Sequence, residues 1–413
     1  MRKRFFLLLT LAAALVLPAR AQQGFEFLSE HPEYLAATDY LCPTGPVDLT
    51  PAPEGYEPFY LSHYGRHGAR YAWQSDMYER LNNVFTKADE EGNLTAKGKE
   101  FKRKFDELYP SVRYRVGDLS RKGWQQQKEL AERMYSNFPE IFAGDPYVMA
   151  RTSTSTRCVM TMSSFCLGLK GCNPGIEIFE NFGKFFLPAI LPQSGENPFR
   201  DKGFEKTPVP FDETVAQYID RNIKWKPILK RLFKNPDKAL PEKEQWEFVS
   251  YLYYFGAGMN SLDSDLDFND IFTTKERVAL WKYDCFQFYC DAWPTHLGYM
   301  PIVEDIIEKA DERIASGQRG AELRFGHDYT FLPLLMILNV NGMGREAKTA
   351  DEVPLICQLQ NVPMGANIHF VFYRNADSEE VLFKVLLNGR EATLPLDTDI
   401  WPYYSWKEFK AQF

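Results

Sequence analysis

Between His63 and Arg70 the chain sets one imidazole, His67, between two guanidiniums, Arg66 and Arg70, directly after the aromatic and apolar run from Glu57 to Ser62. That run reads as a buried strand. The motif therefore falls where a strand gives way to a loop carrying Gly65 and Gly68, and functional groups gathered at the carboxyl ends of strands belong to open α/β sheets. The residue types agree with that placement. Guanidinium forks are permanently charged planar donors matched to phosphoryl oxygens, and an imidazole that loses its proton near neutrality can act as nucleophile or proton carrier. Taken alone, the same residues would also suit a charged surface turn with an idle histidine.

A second constellation follows the apolar stretch that ends at Phe325. His327 and Asp328 stand there before a predicted helix start, with Thr330 as its N-cap and Pro333 in its first turn. Further signals lie between and beyond the two motifs. They are the segment from Leu119 to Gln125, the run from Arg151 to Phe165 that carries Arg157, and residues 366–373 and 381–390.

Together these segments resemble the histidine acid phosphatase family, the large-domain branch of the histidine phosphatases, from about residue 58 to about residue 391. The resemblance implies an α/β fold: a three-layer domain of the phosphoglycerate mutase kind with a smaller α-helical insert. It also implies that His67 attacks phosphorus to form a phosphohistidine, that Arg66, Arg70, Arg157 and His327 hold the phosphate, and that Asp328 protonates the leaving alcohol. Each role has a plainer counterpart, since Arg157 would suit a helix surface and Asp328 a helix cap. Glu322 is the next acid to consider as proton donor. His63 and His369, which no motif claims, read as packing residues.

Among subfamilies the segments around Arg66 and Arg157 are most similar to the multiple inositol polyphosphate phosphatases, which include phytases. Two positions depart from the pattern: Ala72 replaces a proline, and Asp328 follows His327 where that subfamily has His-Ala-Glu. The expected function is hydrolysis of inositol polyphosphates by an exported phosphomonoesterase. A broad acid phosphatase for sugar phosphates or nucleotides is the alternative, and a non-catalytic phosphate-ester-binding protein the reading from another class. Lys184, Arg200, Lys202, Arg277 and Lys282 are candidates for gripping additional phosphates, with surface solvation the default reading for all five.

With 413 residues, of which 15% are aromatic, the chain can bury a large core. Arg2, Lys3 and Arg4, the apolar run Phe5–Leu17 and the small residues around Ala21 read as a secretory signal peptide, residues 1–21, cleaved after Ala21. A periplasmic or secreted protein follows, with no membrane span. Cleavage moves the formal net charge from −8 to −12, which disfavours nucleic acid as a partner and requires a locally basic cleft to draw in an anionic phosphate ester. The seven cysteines show no diagnostic spacing and no metal-ligand cluster is visible, so neither metal nor other cofactor is expected. Oligomeric state has no signal.

Two further patterns need a structural check. The acidic run from Asp263 to Asp270 lacks the glycine and glutamate of a calcium loop and reads as solvated, and Asn93-Leu-Thr95 matches a glycosylation acceptor. Residues 129–142 and 151–169 pattern as helices, 176–200 as an irregular loop and 212–316 as mostly helical. The expected division is 22–170 with 318–413 as the discontinuous α/β domain and 171–317 as the helical insert.

Overall fold

The computed structural model describes residues 25–200 and 205–413; the signal-peptide reading and Lys202 lie outside them. Eight strands form one mixed sheet: β1 (Tyr56–Arg66), β2 (Tyr147–Thr152), β3 (Ile178–Phe182), β4 (Gly320–Gly326), β5 (Asn367–Asn375), β6 (Ser378–Leu387), β7 (Arg390–Glu391) and β8 (Tyr404–Ser405). The order is β3-β2-β4-β1-β5-β6-β7, with β8 added beside β6. The first four strands of that order run parallel, and β5, β6, β7 and β8 join antiparallel.

Strands buried on both faces send alternate side chains to two different cores. Tyr60 and Tyr64 of β1 and Phe370 and Phe372 of β5 enter the larger cluster, with the helices Asp328–Ile337 and Thr274–Ala292. Leu61, Leu323, Phe325 and Val371 enter a smaller one on the opposite face. There Leu130 and Met134 of the helix Arg121–Asn137 meet Met162 and Phe165 of the helix Thr156–Cys172. His63 and His369 face each other across β1 and β5, fully enclosed, with ring centroids 5.0 Å apart and no hydrogen-bond partner among the described residues. They are packing residues, and burial holds both well below the usual histidine range.

The expected boundary at residue 171 differs from the course of the chain in two places. Strand β3 lies inside the segment read as helical insert, yet pairs with β2 in the sheet. It is an edge strand with three of its five side chains exposed, so it lacks the apolar run that marks a buried strand. Conversely, the helices Met77–Glu90 and Ala96–Val112, which precede residue 171, pack with the helices Glu242–Gly258 and Lys226–Leu232 in the larger cluster. Residues 147–152, of which Arg151 and Thr152 were read as helix, form β2 instead. The helix after β4 begins at Asp328 with His327 at its N-cap, not at Thr330, which is buried one turn further in.

The remaining local readings resolve directly. All seven cysteines are free thiols. Asn93 is buried, and its amide both donates to Asn235 O and accepts from Asn235 N, each at 2.9 Å, so it is closed to a glycan. In the acidic run, Asp270 is neutralised by Lys97 at 2.7 Å and Lys104 at 2.9 Å.

One close approach aims the His67 loop. The N-terminal turn of the helix Arg121–Asn137, capped by Ser120, lies against residues 68–69. A Cβ on Gly123 would collide with Ala69 O and lie 2.7 Å from Ala69 N, and one on Gly68 would lie 2.7 Å from Gly123 O. Gly123→Ala is therefore expected to destabilise the protein by about 1–3 kcal/mol and to lower activity more than stability, because the segment pushed away carries His67 and Arg70. Thermal melts and steady-state rates of the same preparation test this, and an unchanged melt with full activity would contradict it.

Candidate active site

Parallel pairing of β1 with β4 builds the site. The register sets Arg66 opposite Gly326, so the residues that follow, His67 on one strand and His327-Asp328 on the other, emerge side by side at the carboxyl edge. The His67 N–H donates to Gly326 O at 2.9 Å and its carbonyl accepts from Gly365 N at 3.0 Å. Gly68 N donates to Thr161 Oγ1 at 3.1 Å and Ala69 N to Gln126 Oε1 at 3.2 Å. The loop is thus fixed by its backbone, leaving the side chains of His67 and Arg70 free to face the cleft.

His67 Nδ1 lies 3.0 Å from Gly68 O. A carbonyl only accepts, so Nδ1 carries the proton and Nε2 presents its lone pair. Burial first, then Arg66, Arg70, Arg157 and His327, push the imidazole well below its ordinary pKa. His67 is therefore neutral across the physiological range, the state a nucleophile needs. The His327 ring meets it edge-on at 5.7 Å between centroids.

Three guanidiniums converge here. Arg66 is fully buried and clamped by Nη1 donating to Thr38 O at 2.6 Å and Val362 O at 2.8 Å, while its Nη2 pairs with Asp328 Oδ2 at 2.8 Å. Arg70 donates to Tyr71 O at 3.0 Å and has Asp39 at 3.9 Å. Arg157, near the start of the helix Thr156–Cys172, reaches His327 Nδ1 at 3.2 Å. The buried Nε–H groups of all three find no acceptor among the described residues. Unpaired buried donors are costly, and three of them on converging cations fit a bound oxyanion.

Asp328 opens the helix after β4, and its Oδ1 accepts from the Tyr329 N–H at 2.8 Å. Burial pushes its carboxyl up, but Arg66, Arg70, His327 and that N–H outweigh it and hold the group below the usual carboxylate value. Because Arg157 can only donate, His327 Nδ1 is an acceptor and its Nε2–H points to Ser153 Oγ at 3.4 Å. Burial, then Arg157, depress His327 to about 3.

All six residues singled out from sequence, Arg66, His67, Arg70, Arg157, His327 and Asp328, meet at this edge. His67, Arg70, Arg157 and Asp328 line a cavity of about 330 Å3. The candidate grips for additional phosphates do not. Lys184, Arg200, Arg277 and Lys282 are absent from its lining, and Lys282 instead covers the Phe25 ring at 3.7 Å. Glu322 is paired with Arg151 at 3.1 Å and borders a different pocket, so it does not compete with Asp328. Sequence reasoning missed Thr38 and Asp39, which come from a short 3-10 helix, Pro32–Asp39, and Thr161 and Gln126. No local pattern marks the first pair. Thr161 lies in the run with Arg157, on the same helix one turn later. No group of three or more His, Cys, Asp or Glu side chains among the described residues is placed to hold a metal ion.

Known proteins share this fold. The model of the histidine phosphatase superfamily (branch 2) matches residues 65–252, which include Arg66, His67, Arg70 and Arg157. Human multiple inositol polyphosphate phosphatase 1 is 23% identical over 311 residues, 68% of this chain and 62% of its own length. The chain thus spans somewhat under two thirds of that relative. The multiple inositol polyphosphate phosphatase of Bifidobacterium longum, solved with inositol hexasulfate, superposes with a TM-score of 0.71 at 17% identity, over 92% of this chain and 96% of that one. The phytase from D. castellii superposes with a TM-score of 0.67 at 16% identity, over 92% and 84%. The chain thus has the fold of those structures, and the stretch matched by the histidine phosphatase superfamily (branch 2) model opens at the end of β1 with Arg66, His67 and Arg70.

Proposed function

We propose that this protein is a phosphomonoesterase that hydrolyses inositol phosphates through a phosphohistidine. The observation that carries the proposal is the convergence of three guanidiniums, each with an unpaired buried N–H, around the Nε2 lone pair of His67. The inositol substrate class draws on the relatives at 23% and 17% identity. Export draws on the amino-terminal pattern; among the described residues no helix is long and apolar enough to cross a membrane.

In the first step His67 Nε2 attacks phosphorus, a nitrogen–phosphorus bond forms, and the ester oxygen leaves in line with the incoming lone pair. Arg66, Arg70 and Arg157 stabilise the charge on the equatorial oxygens, and Asp328 gives its proton to the departing alkoxide. In the second step water attacks the phosphohistidine, Asp328 takes a proton from it, and His67 is released with inorganic phosphate. The Arg66–Asp328 pair explains how one carboxyl serves both steps. A phosphate dianion draws on the Arg66 charge and repels the Asp328 carboxylate, so binding substrate raises the affinity of Asp328 for the proton it must deliver.

The experiment is phosphate release by the purified mature protein from inositol phosphates, a sugar phosphate, a nucleoside monophosphate and an aryl phosphate, with radiolabel trapping of the acid-labile intermediate. Labelled protein and turnover of inositol phosphates support the proposal, and inertness toward all of them while others turn over would replace it with the broad acid phosphatase.

The pH dependence has a definite sign. Asp328 sits below the ordinary carboxylate value in the free protein, so its acid form is scarce at neutrality and kcat/KM for alkyl phosphates should fall steadily from about pH 5 to about pH 8. His67 is held neutral by burial and neighbouring cations, so no rising limb should appear near 6.5. A profile that rises through that range would mean that His67 must first lose a proton and would contradict the assignment.

A further inference from the structure

The cavity wall around the catalytic residues differs from what a highly phosphorylated substrate requires. Trp73, Tyr254, Phe288, Tyr299, Tyr329 and Leu332 make up half of it, and its acids besides Asp328 are Asp39 and Asp291. Among the described residues no lysine lines the cavity, and its only arginines are Arg70 and Arg157, both engaged at the reacting phosphate.

Asp291 lies just before the end of the helix Thr274–Ala292, exposed at its residue surface yet part of the cavity. Burial raises its carboxyl and no cation acts to lower it. Asp39, deeper in, has Arg70 at 3.9 Å but an Oδ1 without a hydrogen bond. Each phosphoryl group beyond the reacting one brings about −1.5 to −2 charges. A fully phosphorylated ring would press several of these onto aromatic side chains, whose faces are negative, and onto the carboxylates of Asp39 and Asp291.

Resting on the phosphohistidine reading above, we infer that the cavity selects inositol phosphates carrying few phosphates over the fully phosphorylated ring, and that Asp291 is a residue that sets this preference. Rings, hydroxyls and uncharged carbons suit the wall, whereas a second or third phosphate must remain at the open mouth to keep its water.

The test compares kcat/KM for inositol monophosphate and inositol hexakisphosphate in the wild-type protein, Asp291→Asn and Asp291→Lys. Exposure of Asp291 makes both variants foldable, which circular dichroism checks. The wild type should favour the monophosphate. The hexakisphosphate-to-monophosphate ratio should rise about threefold in Asn and about tenfold or more in Lys, the scale of one like-charge contact removed or inverted near a surface. Added salt should narrow the wild-type preference by screening and should do so less in Asp291→Lys. A wild type that prefers the hexakisphosphate, or a ratio unmoved by both substitutions, would overturn the inference while leaving the proposed function standing. Inertness of a folded wild type toward every inositol phosphate would overturn both.

Discussion

His67→Ala is expected to lower turnover by at least about 10⁴-fold, because it removes the atom to which phosphorus is transferred while leaving the rest of the site in place. The fold should persist. The loop is held by backbone bonds, from His67 N to Gly326 O and from Gly365 N to His67 O, and by Thr161 and Gln126 on the two following amides. None of these involves the imidazole. Arg66 keeps both carbonyl partners at Thr38 and Val362, so inorganic phosphate should still raise the melting temperature of the variant. The checks are radiolabel trapping, single-turnover kinetics and a phosphate-dependent melt. Substantial turnover by a folded His67→Ala protein would exclude the covalent route, whereas loss of both activity and phosphate protection would show that the ring also organises the cradle.

Asp328→Asn should cost about 10²- to 10⁴-fold on alkyl phosphates, whose leaving alkoxides need a proton. The cost should be far smaller on p-nitrophenyl phosphate, whose phenolate leaves unaided. Geometry adds a second readout. Asp328 Oδ2 neutralises Arg66 Nη2 at 2.8 Å on a fully buried guanidinium, and Asn removes that charge. Inorganic phosphate should consequently inhibit the variant several-fold more strongly even as kcat falls, a split that a general loss of structure does not produce. The amide can still accept the Tyr329 N–H that Oδ1 now takes at 2.8 Å, and Asn is as good as Asp near a helix start, so stability should change little. Equal losses on the two substrates would make Asp328 a positioning residue, and no loss on either would remove it from the chemistry.

The residues that meet at the candidate site were legible in the chain because each belongs to a short, local signal. An aromatic run followed by Arg66, His67, Gly68 and Arg70, and an apolar run followed by His327 and Asp328, each announce a strand and what hangs from its end. Periodicity also exposed the helix that carries Arg157, while the pairing of β5 with β6 came only from the family resemblance. Short amphipathic or edge elements were harder. In β3 only two of five side chains are even partly covered, which leaves no apolar run to read, and β2 continues into Arg151 and Thr152, residues equally at home in the helix that follows. The start of the last catalytic helix was displaced to Thr330 because a threonine is a good cap in isolation, whereas the backbone turns at His327, where β4 ends.

The chemistry proposed for the site was therefore legible in residue types and order, since cationic donors, an imidazole and a carboxyl are properties of individual side chains beside a strand end. What surrounds them was decided by contacts between segments far apart in the chain. Parallel register between β1 and β4 places His67 against His327, a distant 3-10 helix contributes Thr38 and Asp39, and the helix Thr274–Ala292 contributes Phe288 and Asp291 while its Arg277 and Lys282 turn elsewhere. A helix presents only part of its circumference to a cleft, and which part depends on how it packs; composition alone cannot reveal whether Lys282 or Asp291 of one helix faces the cavity.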